Sequence, residues 1–387
     1  MMIAKGFRLA LVAAMFSGTM GRAEAFEIFD SLWVTGDSLS DDGNFWGNCT
    51  PNTEPPGGPG LYLEGRYSDG PMWVEHLAEI AGLDTGDEDE YVNLAYAGAY
   101  ANEFNRNLPP DLLTASCSGR TGVLAQADEV AASVPDKDAL VTVLVGANDY
   151  FAWLQQGDPT VLAPMRCVQE GISPVDGDGN VVPAQIGACT ALVVNDIAST
   201  IVTLHRVGVK HFIVGNLPRL GDTPGGKGQG ADVANLLNGI TETHNRTLEV
   251  AVERLRQDLG GARITLLDVS ALFSGFLSDP ADFGLANVDI PCLVPGENGI
   301  RQPTGACVDG SSTGTLFFDP IHPTAGAHKL TSVFAAASLA ADTVFSDRLR
   351  DRQEKVNDFA LRIVRTYVKN GRLPLHMVLR RWGLAKR

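Results

Sequence analysis

Short, mostly apolar runs alternate along this chain with longer stretches in which apolar residues recur every three to four positions. The short runs predict strands over 31–35, 91–95, 139–145, 211–215 and 263–267. Segment 139–145 is apolar except for Thr142, the pattern of a strand covered on both faces. The longer stretches predict helices over 71–83, 124–134, 192–207, 231–259 and 325–343. Pro71 opens the first and Gly82 stands near its end, where these residues favour a helix boundary. Strand–helix alternation with buried strands predicts an α/β fold, a three-layer αβα sandwich around a doubly wound, mainly five-stranded parallel sheet. Such sheets bind ligands beyond the carboxyl ends of their strands. Ser38 follows the first predicted strand, Gly98 the second and Asn148 the third, so all three fall on one rim. Two insertions, 43–70 and 152–190, leave the same edge and are read as shaping the mouth of a site.

The ends of the chain differ from its middle. Lys5 and Arg8 precede an apolar stretch from Leu9 to Met15, and Ala23-Glu24-Ala25 supplies a small-x-small cleavage pattern. Residues 1–25 are therefore read as a secretory signal peptide cut after Ala25, which makes the protein secreted or periplasmic. The apolar stretch falls short of the ~20 residues of a spanning helix. Residues 26–345 are read as one domain and 346–387 as a basic helical tail. All six cysteines (Cys49, Cys117, Cys167, Cys189, Cys292, Cys307) follow the cleavage point, which predicts disulfides in an oxidising compartment. Six cysteines allow about 15 pairings, so the sequence does not fix the connectivity. Closeness along the chain favours Cys167–Cys189 and Cys292–Cys307, leaving Cys49–Cys117. No C-x-x-C pair occurs to support a zinc knuckle or a thioredoxin-like site.

Net charge is −16, yet residues 346–387 hold 12 Lys/Arg against 4 Asp/Glu, which leaves −24 on the rest. So acidic a body excludes nucleic acid as the substrate, because phosphates are repelled. In the tail, Val356, Phe359, Ile363, Val364 and Tyr367 fall at helical spacing, and Leu379 and Trp382 continue in a second short segment. This stripe either docks on the acidic body or brings the protein to anionic lipid as a peripheral membrane contact; docking is the preferred reading.

Candidate chemistry begins with Gly36-Asp37-Ser38-Leu39. Alone, Ser38 reads as a turn or helix cap. Near the other end stands Phe318-Asp319-Pro320-Ile321-His322-Pro323-Thr324, in which two prolines preclude a regular helix and predict a stiff loop. Asp319 and His322 on that loop can form the carboxylate–imidazole pair that supports general-base catalysis. Competing signals are weaker. Gly310-Ser311-Ser312-Thr313-Gly314 matches a nucleophile elbow but lacks the strand before it and is read as a flexible loop. His328 reads as a surface or packing histidine, and Asp176-Gly177-Asp178-Gly179-Asn180 as a solvated turn rather than a calcium loop. Asn48-Cys49-Thr50 and Asn245-Arg246-Thr247 match the glycosylation pattern by chance.

Several segments together resemble the GDSL (SGNH-hydrolase) lipases and esterases. Gly36 to Asn44 is similar to the first block of that family, Asn93 to Ala99 to the second, Gly146-Ala147-Asn148-Asp149 to the third and Asp319 to Thr324 to the fifth. Segments 65–73 and 216–221 are similar to further family stretches, and the nearest flavour is the phospholipase/lecithinase/haemolysin-like group. The resemblance implies the flavodoxin-like SGNH fold and a serine ester hydrolase needing no cofactor or metal. It implies Ser38 as nucleophile, His322 as base and then acid, and Asp319 as its orienting partner. It also implies an oxyanion hole of the Ser38 N–H, the Gly98 N–H and the Asn148 side chain. Two departures occur: Ala97 stands where the second block usually has its first Gly, and Ala147 where the third often has another Gly. The same acyl-enzyme would serve an acyltransferase or a lipid-surface phospholipase. A non-catalytic binding module is the remaining rival, although no structural need groups these five residues.

Overall fold

The computed structural model describes residues 29–50, 62–133, 135, 138–155, 161–163, 165–178, 180–296, 301–307, 312–342 and 352–371. Five strands form one sheet: β1 (Leu32–Gly36), β2 (Tyr91–Asn93), β3 (Leu140–Leu144), β4 (His211–Gly215) and β5 (Arg263–Leu267). All pairings are parallel in the order β2-β1-β3-β4-β5. The order reverses at β1, which sits between β2 and β3, so the crevice beyond the carboxyl ends opens there.

Alternate strand residues face opposite cores, as the two-residue period of a strand requires. Leu140, Leu144, Ile213 and Leu267 join a cluster with helices α1 (Trp73–Ala81), α8 (Val269–Ser278) and α9 (Ala325–Asp342). Val141, Val143, Phe212, Val214, Ile264 and Leu266 join the other, with α2 (Val123–Ser133), α3 (Ala147–Leu154), α5 (Pro183–Arg206) and α7 (Ala231–Asp258). The result is the three-layer αβα architecture. Smaller pieces complete it: α4 (Arg166–Gln169), α6 (Pro224–Gly228) and an antiparallel hairpin of β6 (Leu293–Pro295) and β7 (Arg301–Pro303).

Besides the short α4, α6, β6 and β7, three helices differ from the sequence reading. Helix α5 begins at Pro183, nine positions before the predicted start at 192, with proline in its first turn where no N–H is needed. Helices α3 and α8 were not predicted. In α8 the apolar residues Val269, Leu272, Phe273 and Phe276 follow β5 so closely that the helical period merges with the strand. Asp268 starts this helix, its carboxylate accepting the Ala271 N–H at 2.9 Å.

The tail stripe docks on the body. Helix α10 (Arg352–Asn370) buries Val356, Phe359, Ala360, Ile363 and Val364 in the core cluster of α8 and α9. Polar contacts fix it there: Arg352 pairs with Asp342 at 2.7 Å, and the Asn357 amide donates to Asp268 at 2.7 Å. That stripe is therefore not available to a lipid surface. Segment 1–25, read from the sequence as a signal peptide, and Leu379 and Trp382 of the tail lie outside the described residues.

Candidate active site

β1 ends at Gly36, where a side chain is impossible: a Cβ there would lie 2.6 Å from the Leu144 carbonyl oxygen of β3. The Gly36 peptide is held on both sides by buried Gln126 of α2. Its N–H donates to Oε1 at 2.7 Å and its carbonyl accepts from Nε2 at 2.9 Å. Beyond it the chain turns sharply. Asp37 Oδ1 accepts the Leu39 N–H at 3.1 Å, and the Ser40 and Asp41 N–H groups return to the Asp37 carbonyl. Ser38 stands at the head of this turn, 9 % exposed. Burial pushes the Asp37 carboxyl up to about 6, while the Leu39 N–H and the facing His322 pull it back.

Asp41 fastens this turn to the next. Its carboxylate accepts four backbone N–H groups: Gly43 at 2.8 Å, Asn44 at 2.6 Å, Phe45 at 3.2 Å and Ala97 at 2.7 Å. The Ala97 bond ties the Ser38 turn to the loop after β2. There Gly98 adopts φ +85°, a left-handed conformation that favours glycine. An added Cβ would lie 2.2 Å from Asn107 Nδ2 and 2.6 Å from Asn105 Oδ1. Ala97 is different: its N–H is taken by Asp41 and its carbonyl accepts from Asn105 Nδ2 at 2.9 Å. Alanine at 97 thus leaves the Gly98 conformation intact. Among the described residues, neither the Ser38 nor the Gly98 N–H donates to a protein group.

Asn148 lies in the first turn of α3, whose N-cap is Gly146, two residues after the end of β3. Its Nδ2 donates to the Ala99 carbonyl at 3.2 Å, and the neighbouring Asp149 carboxylate accepts the Ala101 N–H at 3.1 Å. One amide hydrogen of Asn148 is thereby committed to the Gly98 loop and the other is left over.

The loop after β7 delivers the remaining pair. Its backbone closes on itself, Phe318 N–H to the His322 carbonyl at 2.8 Å and Thr324 N–H to the Leu316 carbonyl at 2.9 Å. Ser68 Oγ donates to the Pro323 carbonyl at 3.0 Å, and Asp69 accepts the Ala325 N–H at 2.8 Å at the start of α9. Asp319 Oδ2 meets His322 Nδ1 at 2.8 Å, and His322 Nε2 meets Ser38 Oγ at 2.8 Å. Asp319 Oδ1 accepts the Ile321 and His322 N–H groups at 2.9 and 2.8 Å. Burial opposes charge on Asp319, yet the facing His322, Arg301 and the Ile321 N–H hold its carboxyl well below the usual range. An ionised Asp319 can only accept, so Nδ1 carries the imidazole proton and Nε2 is left to accept from the Ser38 hydroxyl.

Ser38, Asn148 and His322 open into one cavity whose other walls include Leu144, Phe151, Pro218, Leu220, Val269 and Phe273. Gly98 has no side chain to wall it; its loop is tied to the site on both sides, by the Ala97 N–H on Asp41 and the Asn148 amide on the Ala99 carbonyl. His328 does line it, but as a buried packing group. Its Nδ1 accepts the Trp73 N–H at 3.3 Å, and burial drives its imidazole down to about 3. Of the nucleophile-elbow match, Gly310 and Ser311 lie outside the described residues, and Ser312 sits in a turn, its carbonyl accepting the Thr315 N–H. Asn245 accepts the Leu217 N–H and donates to the Leu217 carbonyl, at 3.0 and 2.8 Å, which gives it a structural role in the loop after β4. The cysteines pair as Cys49–Cys117, Cys167–Cys189 and Cys292–Cys307. The sequence reading missed Gln126, Asp41's four-fold grip and Tyr62, whose hydroxyl donates to Asp319 Oδ2 at 2.9 Å.

Residues 33–332 match the GDSL-like Lipase/Acylhydrolase family. A phosphatidylcholine-sterol acyltransferase of Aeromonas hydrophila is 27% identical over 71% of this chain and 68% of its own. A GDSL esterase/lipase of Arabidopsis thaliana is 26% identical, covering 81% of this chain and 83% of its own. The thermolabile hemolysin of Vibrio parahaemolyticus is 22% identical over 76% of this chain and 60% of its own. The match runs unbroken from the strand that delivers Ser38 to the helix that follows His322, so the chain is an enzyme of the GDSL esterase/lipase family.

Proposed function

We propose that this enzyme hydrolyses carboxylic esters through an acyl-enzyme on Ser38. The observation that carries the reading is the continuous chain Asp319–His322–Ser38, two contacts of 2.8 Å each. His322 takes the hydroxyl proton as Ser38 attacks the ester carbonyl, then gives it to the leaving alcohol. Asp319 holds the ring in the tautomer this requires and stabilises the imidazolium that forms. The same base then activates water to release the acid. Negative charge on the tetrahedral oxygen is met by the Ser38 N–H, the Gly98 N–H and the spare Asn148 amide hydrogen, each such donor being worth about 3 kcal/mol.

The apolar cavity walls favour an ester with an acyl chain over a small polar one. Likeness to an acyltransferase supports a second reading, in which an alcohol replaces water in deacylation. Three disulfides support export to an oxidising compartment, the reading already taken from residues 1–25. A p-nitrophenyl acyl series from short to long chains, on wild type and Ser38→Ala, tests the mechanism. Loss of turnover in the alanine variant is the expected result, and full activity overturns the assignment. Adding a competing alcohol and measuring transfer product separates hydrolysis from acyl transfer.

A further inference from the structure

Asp319 has more partners than the proposed relay needs. Its Oδ2, the oxygen facing His322, also accepts the Tyr62 hydroxyl at 2.9 Å, and the Arg301 guanidinium lies 4.0 Å away. Neither residue belongs to a family-like segment: Tyr62 lies in the insertion 43–70 and Arg301 in the β6–β7 hairpin. Both are placed deliberately. Tyr62 is 3 % exposed and packs edge-on against Phe318 and Tyr67, whose ring in turn covers His322 at 4.9 Å. The hairpin is bonded to the catalytic loop, Cys292 N–H to the Phe317 carbonyl at 3.0 Å and Leu293 N–H to the Phe318 carbonyl at 2.8 Å, and Cys292–Cys307 ties its two ends together.

Resting on the reading of Asp319 as the orienting partner of His322, we infer that Tyr62 and Arg301 are positioning residues that set how strongly Asp319 holds the imidazolium. A hydroxyl and a cation on Oδ2 draw off part of the negative charge that would otherwise bind the imidazolium proton. His322 therefore returns to its neutral, base-competent form more readily. Tyr62 stays protonated as a donor, since burial and the Asp319 charge both raise its phenol. The other ionisable groups around the pair are Asp37 below Ser38, Tyr67 over the ring and His328 on α9, and none of them touches Oδ2.

The test is the pH profile of kcat/KM for p-nitrophenyl butyrate, using the full, disulfide-bonded chain. Removing the hydroxyl in Tyr62→Phe keeps the ring packing, and it moves the acid limb to higher pH by about half a unit to one unit. Arg301→Gln moves it the same way, while Arg301→Lys, which retains the charge, restores the wild-type limb. The folded fraction of each variant is followed across the same pH range by circular dichroism, and rates are taken per folded molecule, so that acid unfolding is not read as a shift of the limb. A limb that stays in place or moves to lower pH in Tyr62→Phe overturns the inference. Retained activity in Ser38→Ala would instead remove the underlying mechanism, so the two failures are distinguishable.

Discussion

Gly98→Ala is the sharpest test of how the proposed oxyanion donors are held. The substitution acts in two ways. Alanine at φ +85° adopts a left-handed conformation that costs an L-residue about 1–2 kcal/mol. Its Cβ also meets Asn107 Nδ2 at 2.2 Å and Asn105 Oδ1 at 2.6 Å. The Asn107 amide can swing aside. Asn105 cannot, because it is fully buried and its amide is bonded to the Ala97 carbonyl and to Thr121. The loop backbone must then move by roughly 0.8 Å to regain van der Waals contact with Asn105. An oxyanion donor works within a window of about 0.4 Å, so this displacement forfeits most of one donor and about 100-fold or more in kcat. The assay is steady-state hydrolysis of p-nitrophenyl butyrate beside urea unfolding. The expected result is a kcat loss of about 100-fold with KM changed less than about threefold, because the donor acts in the transition state rather than the ground state. Ala97→Gly is the control: its N–H is already committed to Asp41, so kcat stays within about twofold and stability falls by less than ~1 kcal/mol. A folded Gly98→Ala enzyme with wild-type kcat refutes the reasoning, as does an equal loss in Ala97→Gly.

Further outcomes follow from the same geometry. Asp41→Ala leaves four backbone N–H groups, those of Phe45 and Ala97 buried, without their acceptor and lowers the urea-derived stability by several kcal/mol, at about 1–3 kcal/mol for each buried group, whereas Asp41→Asn retains one oxygen and loses less. Ile363→Ala, at a fully buried position on α10, costs about 2–5 kcal/mol in urea unfolding, while exposed Lys369→Ala stays within about 0.5 kcal/mol; equal effects would mean that the tail helix is not part of the core. His244 is buried and driven down to about 3 from an unfolded value near 6.5, so the unfolded chain binds the extra proton between those values. Its contribution is complete above pH ~6.5 and is lost as pH falls, at about 1.4 kcal/mol per unit. Asp37, raised to about 6, pushes stability the other way as pH falls from 6 towards 4, so the measurement must be a difference. The stability gap between wild type and His244→Gln, which keeps an acceptor for the Tyr150 hydroxyl, narrows by about 2 kcal/mol from pH 7 to pH 5; a constant gap refutes the assignment.

The sequence made some of this readable and hid the rest for identifiable reasons. The five strands were legible because each is short, apolar and flanked by turns, and the rim that gathers Ser38, Gly98 and Asn148 followed from strand order alone. The Asp319–His322 pair was legible because prolines stiffen a short loop around both residues. Tyr62 was not, since its partner lies 257 residues away and no local pattern marks a tyrosine in an insertion. Asp41 stood inside a recognised segment, but its function is to accept backbone N–H groups, which sequence does not display. Helix α8 escaped because an apolar strand running into an apolar helix shows no change of period. The docking of α10 needed the three-dimensional core, because an amphipathic stripe fits a protein surface and a membrane equally well.

One consequence concerns the order in which the enzyme comes into being. Ser38 and His322 are 284 residues apart, so the turn that presents the hydroxyl is made long before the imidazole proposed to activate it. Contacts spanning that much chain close late, after the local helices and neighbouring strands have formed. An emerging or half-folded polypeptide therefore carries an inert serine, whatever esters surround it. On the proposed mechanism, hydrolytic competence arrives only once the His322 loop has closed on Ser38, and ester turnover counts completed molecules rather than chains.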